Sequence, residues 1–215
     1  MLSYQLEFIE FAIQSGVLSF GNFTLKSGRT SPYFFNAGLF NSGDRLLRLG
    51  HFYAAALEQS QIIYDMLYGP AYKGIPLVCA TAIALANRYG KSVGYAFNRK
   101  EAKDHGEGGL IVGAPLQGRV VIVDDVITAG TSVRESVDLI TQAGATPCAV
   151  LLALDRQEIG PDGRSAVSEI EQQYAIPVRA IATMANVIAY LEESGRFQEE
   201  LKAIRTYRTR FGACS

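Results

Sequence analysis

The chain has 215 residues, a length that predicts one domain with an elaboration or two small ones. It is 48% hydrophobic and 19% charged, so it can bury a substantial core and disorder is not expected. The net charge of −1 argues against a broad surface for nucleic acid or an anionic membrane, although a local basic pocket is compatible with it.

Neither a membrane span nor a secretion signal is expected. The longest nearly apolar run, residues 75–86, is too short to cross a bilayer. Glu7 and Glu10 lie where a signal peptide carries Lys or Arg. The cysteines lack metal-ligand spacing, so we expect two buried thiols and one tail thiol in the reducing cytoplasm. They are Cys79, Cys148 and Cys214.

The first 60 residues predict two helices on either side of an aromatic hairpin. Apolar residues at helical spacing predict a helix over residues 4–15, ended by Gly16. Residues 20–38 are aromatic and favour strands, and Ser27-Gly28-Arg29 interrupts them, which indicates a hairpin or a short irregular sheet. A second helix is predicted over residues 46–60.

From residue 62 onward, short apolar runs alternate with helical stretches. This alternation predicts an α/β fold with a mostly parallel central sheet flanked by helices. A polar, Gly-rich loop is expected over residues 98–109. The predicted strands cover residues 62–68, 92–97, 110–113, 120–123, 148–154 and 178–181, and the predicted helices cover residues 76–89, 132–143, 165–174 and 185–193.

Charged side chains follow four of the predicted strands. Open α/β sheets bind ligands just beyond the carboxyl ends of their strands, so these side chains should share one rim. Cations concentrated there in a nearly neutral chain indicate a small, multiply anionic ligand. The charged or titratable residues are Lys73, Arg99, Lys100, Lys103, His105, Asp124, Asp125, Asp155 and Arg156, and Tyr72 precedes Lys73 after the first of these strands.

Residues 120–132, VVIVDDVITAGTS, carry the clearest chemical signal. An apolar strand ends in Asp124 and Asp125, and a turn of small and hydroxyl residues then opens a helix. Gly130 allows close backbone approach, and free amides at a helix start favour an anion such as phosphate. The carboxylates would repel a phosphate and should face hydroxyls or a metal. A ribose phosphate meets both demands.

Other phosphate motifs fit this segment less well. A Walker loop needs a Lys, a dinucleotide fingerprint needs three spaced glycines, and a haloacid-dehalogenase-like phosphatase needs Asp-x-Asp. The segment has no Lys, one Gly and two adjacent aspartates. The plain alternative is that the two carboxylates only cap the following turn.

Residues 120–132 resemble the phosphoribosyl-pyrophosphate motif of the type I phosphoribosyltransferase family. Residues 23–35 (FTLKSGRTSPYFF) and 99–109 (RKEAKDHGEGG) extend the resemblance to the family members that act on orotate. The resemblance covers most of the chain. It implies one phosphoribosyltransferase domain over residues 1–215, with the type I phosphoribosyltransferase fold. A small N-terminal hood would come mainly from about residues 1–40, and the core from about residues 60–185.

The resemblance implies a Mg²⁺-dependent pentosyl transfer in de novo pyrimidine biosynthesis. Ribose 5-phosphate would pass from phosphoribosyl pyrophosphate to orotate, giving orotidine 5′-monophosphate and pyrophosphate. Asp124 and Asp125 would hold the ribose hydroxyls and stabilise the cationic anomeric carbon. The 5′-phosphate would lie on Val126, Ile127, Thr128, Ala129, Gly130, Thr131 and Ser132. Other contacts to phosphoribosyl pyrophosphate would come from Lys26, Tyr72, Lys73, Arg99, Lys100, Lys103 and His105.

The resemblance places catalysis on Lys73, Lys100, Lys103, His105, Asp124 and Asp125. Mg²⁺ would be held mainly by substrate oxygens and water rather than by the protein. Orotate is expected on Lys26, Phe34, Phe35, Thr128 and Arg156, where the planar Arg fork suits its polar edge. Neighbouring residues on a strand face opposite sides, so at least one of the two phenylalanines should pack in the core.

The charged loop over residues 98–109 would close over the activated sugar and exclude water. In the family, part of this loop enters the partner subunit's site of a homodimer, so Lys100, Lys103 and His105 would act in trans. The plain alternative is a solvated charged loop. The family often has a cis peptide at the position of Ala71 and Tyr72. His51, in an apolar helix, is expected to be structural.

Two other classes fit less well. A family member that acts on a different base would share the aspartate pair but lack the segment over residues 23–35. A non-enzymatic regulator that senses phosphoribosyl pyrophosphate should lose the charged loop and gain a basic nucleic-acid surface. This chain has the loop and a net charge of −1. No nucleic-acid or membrane partner is therefore expected.

Overall fold

A computed structural model describes residues 1–25, 28–103, 109–160 and 163–213, with the backbone alone at 102 and 103. Seven α-helices and eight β-strands are assigned in these ranges. The helices are α1 (Ser3–Gln14), α2 (Gly43–Ser60), α3 (Gly74–Tyr89), α4 (Thr131–Gln142), α5 (Ala166–Tyr174), α6 (Met184–Ser194) and α7 (Gln198–Phe211). The strands are β1 (Leu18–Thr24), β2 (Thr30–Phe35), β3 (Met66–Gly69), β4 (Gly94–Lys103), β5 (Gly109–Gly113), β6 (Arg119–Asp124), β7 (Thr146–Asp155) and β8 (Val178–Thr183).

A six-stranded sheet with the order β5-β4-β3-β6-β7-β8 forms the centre. Its strands run parallel except β5, which pairs antiparallel with β4 at one edge. Helices cover both faces, so a central strand is buried on both sides and reads as a continuous apolar run. Along β6, Val121 and Val123 pack into the larger core, whereas Val120 and Ile122 pack into the smaller one. The predicted α/β class with a mostly parallel sheet is confirmed.

The predicted aromatic hairpin is present as a separate two-stranded antiparallel sheet of β1 and β2. We call these two strands the hood. Tyr33 of β2 is buried, and its ring meets that of Tyr207 on α7 edge-on, with centroids 6.1 Å apart. The C-terminal helix therefore helps to hold the hood against the rest of the molecule.

Two predicted boundaries are wrong. The loop expected over residues 98–109 continues β4 through Lys103, because Asn98 pairs with Ile111 and Lys103 with Gly109 across the hairpin. Polar composition indicates exposure to water, but it does not prevent backbone pairing with β5. The strand expected to begin at residue 62 begins at Met66, where pairing with Gly94 of β4 and Val120 of β6 starts.

Helix α7 was missed because most of its residues are polar. Only Leu201, Ile204 and Tyr207 of this helix are buried, and their spacing of three residues forms a narrow apolar stripe. This stripe is a usable sequence signal for a helix over residues 198–211.

Gly50 sets the closest approach between α2 and α3. A Cβ at this position would lie 2.5 Å from the carbonyl oxygen of Ala80. We expect Gly50→Ala to lower the free energy of unfolding by about 1–3 kcal/mol, because two packed backbones would have to separate. Gly43→Ala is the matched control on the same helix, since a Cβ there meets nothing within 4 Å. Urea unfolding checks the pair, and equal midpoints would contradict the expectation.

Candidate active site

The two carboxylates lie at the carboxyl end of β6, as the strand-end rule predicted. Asp124 and Asp125 are only 7% and 5% exposed. Lys73 Nζ donates to Asp125 Oδ2 at 2.7 Å, and Ser132 Oγ donates to Asp124 Oδ2 at 3.0 Å. The structure therefore brings together residues that follow two neighbouring strands, β3 and β6.

Backbone amides fix the orientation of both carboxylates. The N–H of Asp125 donates to Asp124 Oδ1, and the N–H of Val126 donates to Asp125 Oδ1, each at 2.9 Å. The hydroxyl of Tyr53, on α2, donates to the carbonyl oxygen of Asp124 at 2.8 Å. No local pattern in the sequence points to this Tyr53 contact, which joins residues 71 positions apart.

Burial, followed by repulsion from Asp125, raises the pKa of Asp124 to about 6. The Asp124 and Asp125 carboxyl groups lie close together, and the pKa of Asp124 is raised. Such a pair favours a ligand that supplies hydroxyl hydrogens or positive charge. The diol of a sugar that becomes cationic during reaction supplies both.

This raised pKa predicts a pH-dependent stability. Below the usual pKa of 3.8 the Asp124 carboxyl is protonated in both the folded and the unfolded chain. The contribution of this protonated carboxyl to the free energy of unfolding is lost as the pH rises through about 6, because the carboxyl ionises less readily in the folded state. We expect Asp124→Asn to gain about 1–3 kcal/mol of stability relative to the unmodified chain between about pH 4 and pH 7. Urea unfolding across this range checks it, and parallel stability curves would contradict it.

The predicted phosphate cradle is a turn that we call the phosphate turn, residues 126–132. Together with Asp124 and Val133 it lines a cavity of about 240 Å³. Gly130 has a φ of 73°, a left-handed conformation that glycine adopts without steric cost. Helix α4 starts at the next residue, so its first amide groups have no partner within the helix and face the cavity region.

Arg134 supports the phosphate turn from outside the cavity. Its Nη1 donates to the carbonyl oxygen of Ala129 at 2.5 Å, and its Nη2 lies 3.4 Å from Glu169 Oε2 on α5. A Cβ at Gly130 would approach Arg134 Nη1 to 3.1 Å. Sequence reasoning missed this residue because it lies beyond the motif, although an Arg one turn into the helix was a usable signal.

A short loop of residues 70–73, which we call the pyrophosphate loop, faces the carboxylates. The Ala71–Tyr72 peptide is cis. The side chain of Asn98 on β4 accepts a hydrogen bond from the N–H of Ala71 at 2.8 Å. Lys100 Nζ lies 5.1 Å from the centroid of the Tyr72 ring. The structure thus brings Lys100 close to the pyrophosphate loop, as the strand-end rule predicted.

The remaining predicted basic residues are described only in part. Arg99 lies on β4, where its Nη1 donates to the carbonyl oxygen of Gly109 at 3.4 Å. The backbone of Lys103 ends the same strand, but its side chain is outside the described part of the chain. Lys26 and His105 also lie outside the described residues.

The two adjacent phenylalanines of the hood face opposite ways, as expected. Phe34 is 38% exposed, and its ring stacks on Phe23 at a centroid separation of 5.5 Å. Phe35 instead packs on the core, with its ring centroid 6.5 Å from that of Phe8. The exposed ring of Phe34 is therefore the one available to a planar ligand.

Arg156 follows β7 and forms an ion pair with Glu158, in which Nη2 lies 2.7 Å from Oε1. Tyr33 reaches the same carboxylate from the hood, and its hydroxyl donates to Glu158. Burial raises the pKa of Tyr33, so the hydroxyl keeps its proton and acts as a donor. Sequence reasoning missed both partners of Arg156. Tyr33 is 123 positions away in the chain, whereas Glu158 lies two positions after Arg156 and was a usable signal.

The other singled-out residues lie away from this edge of the sheet. Cys79 and Cys148 are unpaired and half-buried rather than fully buried, and Cys214 is outside the described residues. Burial, followed by the nearby Arg88, lowers the pKa of His51. The buried His51 Nε2 meets no hydrogen-bond partner in the described part of the chain.

A second cavity, of about 300 Å³, is lined by Arg164, Glu169, Gln172 and Gln173, none of which follows a strand end directly. Within the described ranges, no three His, Cys, Asp or Glu residues gather as a metal site. Nor does any helix there have the length and apolar character needed to cross a membrane.

Comparison with known proteins gives consistent results. A family model described as "Phosphoribosyl transferase domain" matches residues 41–178. The orotate phosphoribosyltransferase of Methylococcus capsulatus is 65% identical over 212 residues, covering 99% of each chain. That of Hahella chejuensis is 60% identical over 215 residues and covers both chains completely. The crystal structure of orotate phosphoribosyltransferase from Francisella tularensis is similar with a TM-score of 0.88, at 44% identity, over 96% of this chain and 100% of that one.

Proposed function

The chain belongs to the orotate phosphoribosyltransferases of the phosphoribosyltransferase family, and from this we propose how its own residues carry out the transfer. Ribose 5-phosphate passes from phosphoribosyl pyrophosphate to orotate, a pentosyl transfer that belongs to pyrimidine biosynthesis. One observation carries the proposal: Asp124 and the phosphate turn line the same cavity. A ribose 5-phosphate can therefore bind through its hydroxyls and its phosphate at once.

The carboxylates of Asp124 and Asp125 hold the ribose hydroxyls in this proposal. The bond from the anomeric carbon to the pyrophosphate oxygen breaks first, and its electron pair leaves with the pyrophosphate. The ring nitrogen of orotate then forms the new bond to that carbon, and its proton passes to the pyrophosphate. Positive charge develops on the sugar between these events, and two fixed carboxylates beside it lower the energy of that state. The phosphate turn, residues 126–132, keeps the 5′-phosphate in place throughout.

The leaving pyrophosphate needs cations on the opposite side of the sugar. Lys73 in the pyrophosphate loop and Lys100 on β4 can supply these cations. Tyr72 lies between them, since it precedes Lys73 and its ring contacts Lys100. Lys73 is paired with Asp125 when no substrate is bound, and we propose that it moves to the pyrophosphate when the ribose diol takes its place. On the family resemblance, the remaining contacts come from Lys26, Arg99, Lys103 and His105.

Orotate then lies between the phosphate turn and the hood. Its carboxylate and carbonyl groups suit the planar fork of Arg156, and its ring suits the exposed face of Phe34. Because the Phe35 ring packs in the core, we assign that residue a backbone contact only. Thr128, in the phosphate turn, and Lys26 complete the proposed orotate contacts.

We propose that the transfer needs Mg²⁺, as phosphoribosyltransferases generally do. Asp124 and Asp125 are hard oxygen donors of the kind Mg²⁺ accepts, but two carboxylates leave most of an octahedral shell to substrate oxygens and water. Held mainly by substrate oxygens and water, the ion would neutralise charge on the departing pyrophosphate. A chelator should abolish activity, and added Mg²⁺ should restore it.

We also propose a homodimer that forms through an exposed apolar face on α3 and the β4–β5 edge. Ile83, Tyr95 and Leu110 are between 37% and 62% exposed there, and large apolar side chains exposed on one surface favour burial by a partner. The hairpin of β4 and β5 lies at the same edge. In a dimer formed through this face, Lys100, Lys103 and His105 would therefore reach the partner subunit's site. In light scattering, Ile83→Asp should halve the mass.

Shared sites predict recovery of activity in mixed dimers. Subunits carrying Lys103→Ala, mixed with subunits carrying Asp124→Ala and Asp125→Ala, should regain part of the activity, because one intact site forms per mixed dimer. The recovery is measured after co-expression with two different affinity tags. No recovery in verified mixed dimers would contradict action in trans.

The proposal includes the organisation of the chain and its compartment. We propose one phosphoribosyltransferase domain over residues 1–215, in which the hood belongs to the N-terminal 40 residues and the core to residues 60–185. Support comes from the separate two-stranded sheet and from a family model that begins at residue 41. The unpaired thiols of Cys79 and Cys148 support a reducing, cytoplasmic location.

Orotate absorbance measures the proposed reaction directly. Orotate should be consumed only when phosphoribosyl pyrophosphate and Mg²⁺ are both present, and pyrophosphate should appear in equal amount. Adenine and hypoxanthine serve as alternative bases. Consumption of either purine in place of orotate would overturn the proposed substrate.

A further inference from the structure

The side chain of Arg156 is held in one plane by two neighbours. Its Nε and Nη2 both donate to Oε1 of Glu158, at 3.1 and 2.7 Å. The side chains of Arg156 and Glu158 are only 15% and 14% exposed. The Arg156 guanidinium lies 5.1 Å from the centroid of the Tyr33 ring, and the Tyr33 hydroxyl donates to the same carboxylate. Glu158 is therefore the common acceptor for a strand-end arginine and a hood tyrosine.

These contacts use only one edge of the guanidinium. Nε and Nη2 face Glu158, whereas Nη1 donates no hydrogen bond to any residue that the structure describes. A planar guanidinium fixed along one edge presents its other edge in a defined direction. Nη1 and the second hydrogen of Nη2 form a fork that matches a carboxylate.

The segment that carries Glu158 is itself supported by the end of α7. Glu158 forms an antiparallel bridge with Gly212, and the N–H of Ile159 donates to the carbonyl oxygen of Phe211 at 2.8 Å. Tyr207 of the same helix packs edge-on against the Tyr33 ring. Helix α7 and the residue after it therefore hold both Glu158 and Tyr33, the two residues that orient Arg156.

Resting on the proposed function, we propose that Glu158 and Tyr33 are positioning residues that direct the free edge of Arg156 at the carboxylate of orotate. A competing effect has the opposite sign, since the negative charge of Glu158 would repel an anionic base. We expect the orienting effect to be larger than the repulsion, because the Arg156–Glu158 pair is buried. Without the Glu158 carboxylate, the Nε–Nη2 edge of Arg156 would turn toward another hydrogen-bond acceptor. The two effects therefore give opposite results when Glu158 is neutralised.

The test compares two ligands that differ only in the base. Orotidine 5′-monophosphate and ribose 5-phosphate are titrated by calorimetry into the unmodified chain, Glu158→Gln and Tyr33→Phe. Glu192→Gln is the matched control, because it neutralises the acid of a Glu–Arg pair elsewhere, between α6 and α7. We expect both site variants to bind orotidine 5′-monophosphate about tenfold more weakly, with ribose 5-phosphate and the control unchanged. In kinetics, KM for orotate should rise while KM for phosphoribosyl pyrophosphate stays constant.

Three results would overturn the proposal. Tighter binding of orotidine 5′-monophosphate by Glu158→Gln, with no change in Tyr33→Phe, would show that charge outweighs orientation. Equal loss of both ligands would show a merely structural role, and unchanged affinities would show no role. Tyr33→Phe removes one hydroxyl and keeps the ring, so it still decides the matter if Glu158→Gln does not fold. An unmodified chain that binds both ligands equally would count against the proposed function instead.

Discussion

Lys73→Ala should lower kcat/KM for phosphoribosyl pyrophosphate by about 10- to 100-fold and leave the fold intact. The Lys73 side chain is 62% exposed and contributes little packing, and Asp125 keeps its hydrogen bond from the N–H of Val126 when Lys73 is removed. In the proposed reaction the same ammonium group meets the leaving pyrophosphate, where charge increases in the transition state. The loss should therefore appear in turnover rather than in the unfolding curve.

Lys91→Ala is the matched control for Lys73→Ala. Lys91 is also an exposed lysine, with its Nζ 2.7 Å from Glu58, but it follows α3 at the far end from the pyrophosphate loop. Its removal should leave kcat/KM unchanged. Steady-state kinetics with varied phosphoribosyl pyrophosphate checks both variants, and near-normal kinetics in Lys73→Ala would refute the assignment.

Asp125→Asn should have the larger effect, a fall in kcat of about 100-fold or more. The substitution removes one of two carboxylates beside the sugar while keeping the shape of the side chain. Loss of one preorganised electrostatic contact to a transition state typically costs this much.

Asp65→Asn controls for the general loss of an aspartate ion pair. Asp65 Oδ1 lies 3.0 Å from Arg119 Nη2, at the opposite end of the sheet from Asp125. This variant should lose little stability and no activity, because an ion pair exposed to water contributes little. Single-turnover measurement of orotidine 5′-monophosphate formation separates the chemical step from product release. A normal single-turnover rate in Asp125→Asn would show that its carboxylate does not act on the sugar.

Features that depend on neighbouring residues were predictable from the sequence. The buried strand β6, the adjacent aspartates and the glycine of the phosphate turn follow one another along the chain, so composition and order were sufficient. The meeting of Lys73 with Asp125 was predictable one step further, because parallel strands place their carboxyl ends at one edge.

Features that depend on distant contacts were not predictable. Tyr53 contacts Asp124 across 71 positions, and Tyr33 contacts Arg156 across 123 positions, so no local pattern in the sequence points to either contact. The extension of β4 through Lys103 was hidden because charged residues occupy this part of the strand, which pairs with β5 but no longer with β3. Such a strand lacks the apolar alternation by which a half-buried strand is recognised.

Ribose 5-phosphate and 2-deoxyribose 5-phosphate test most directly whether one site holds both the diol and the phosphate. Calorimetry should show that the unmodified chain prefers ribose 5-phosphate by about tenfold, the value of one hydrogen bond to a charged group. A variant carrying Asp124→Asn and Asp125→Asn should bind both sugars through the phosphate turn and lose the preference. If that variant keeps the full preference for ribose 5-phosphate, the carboxylates do not hold the sugar, and the account of this site is wrong.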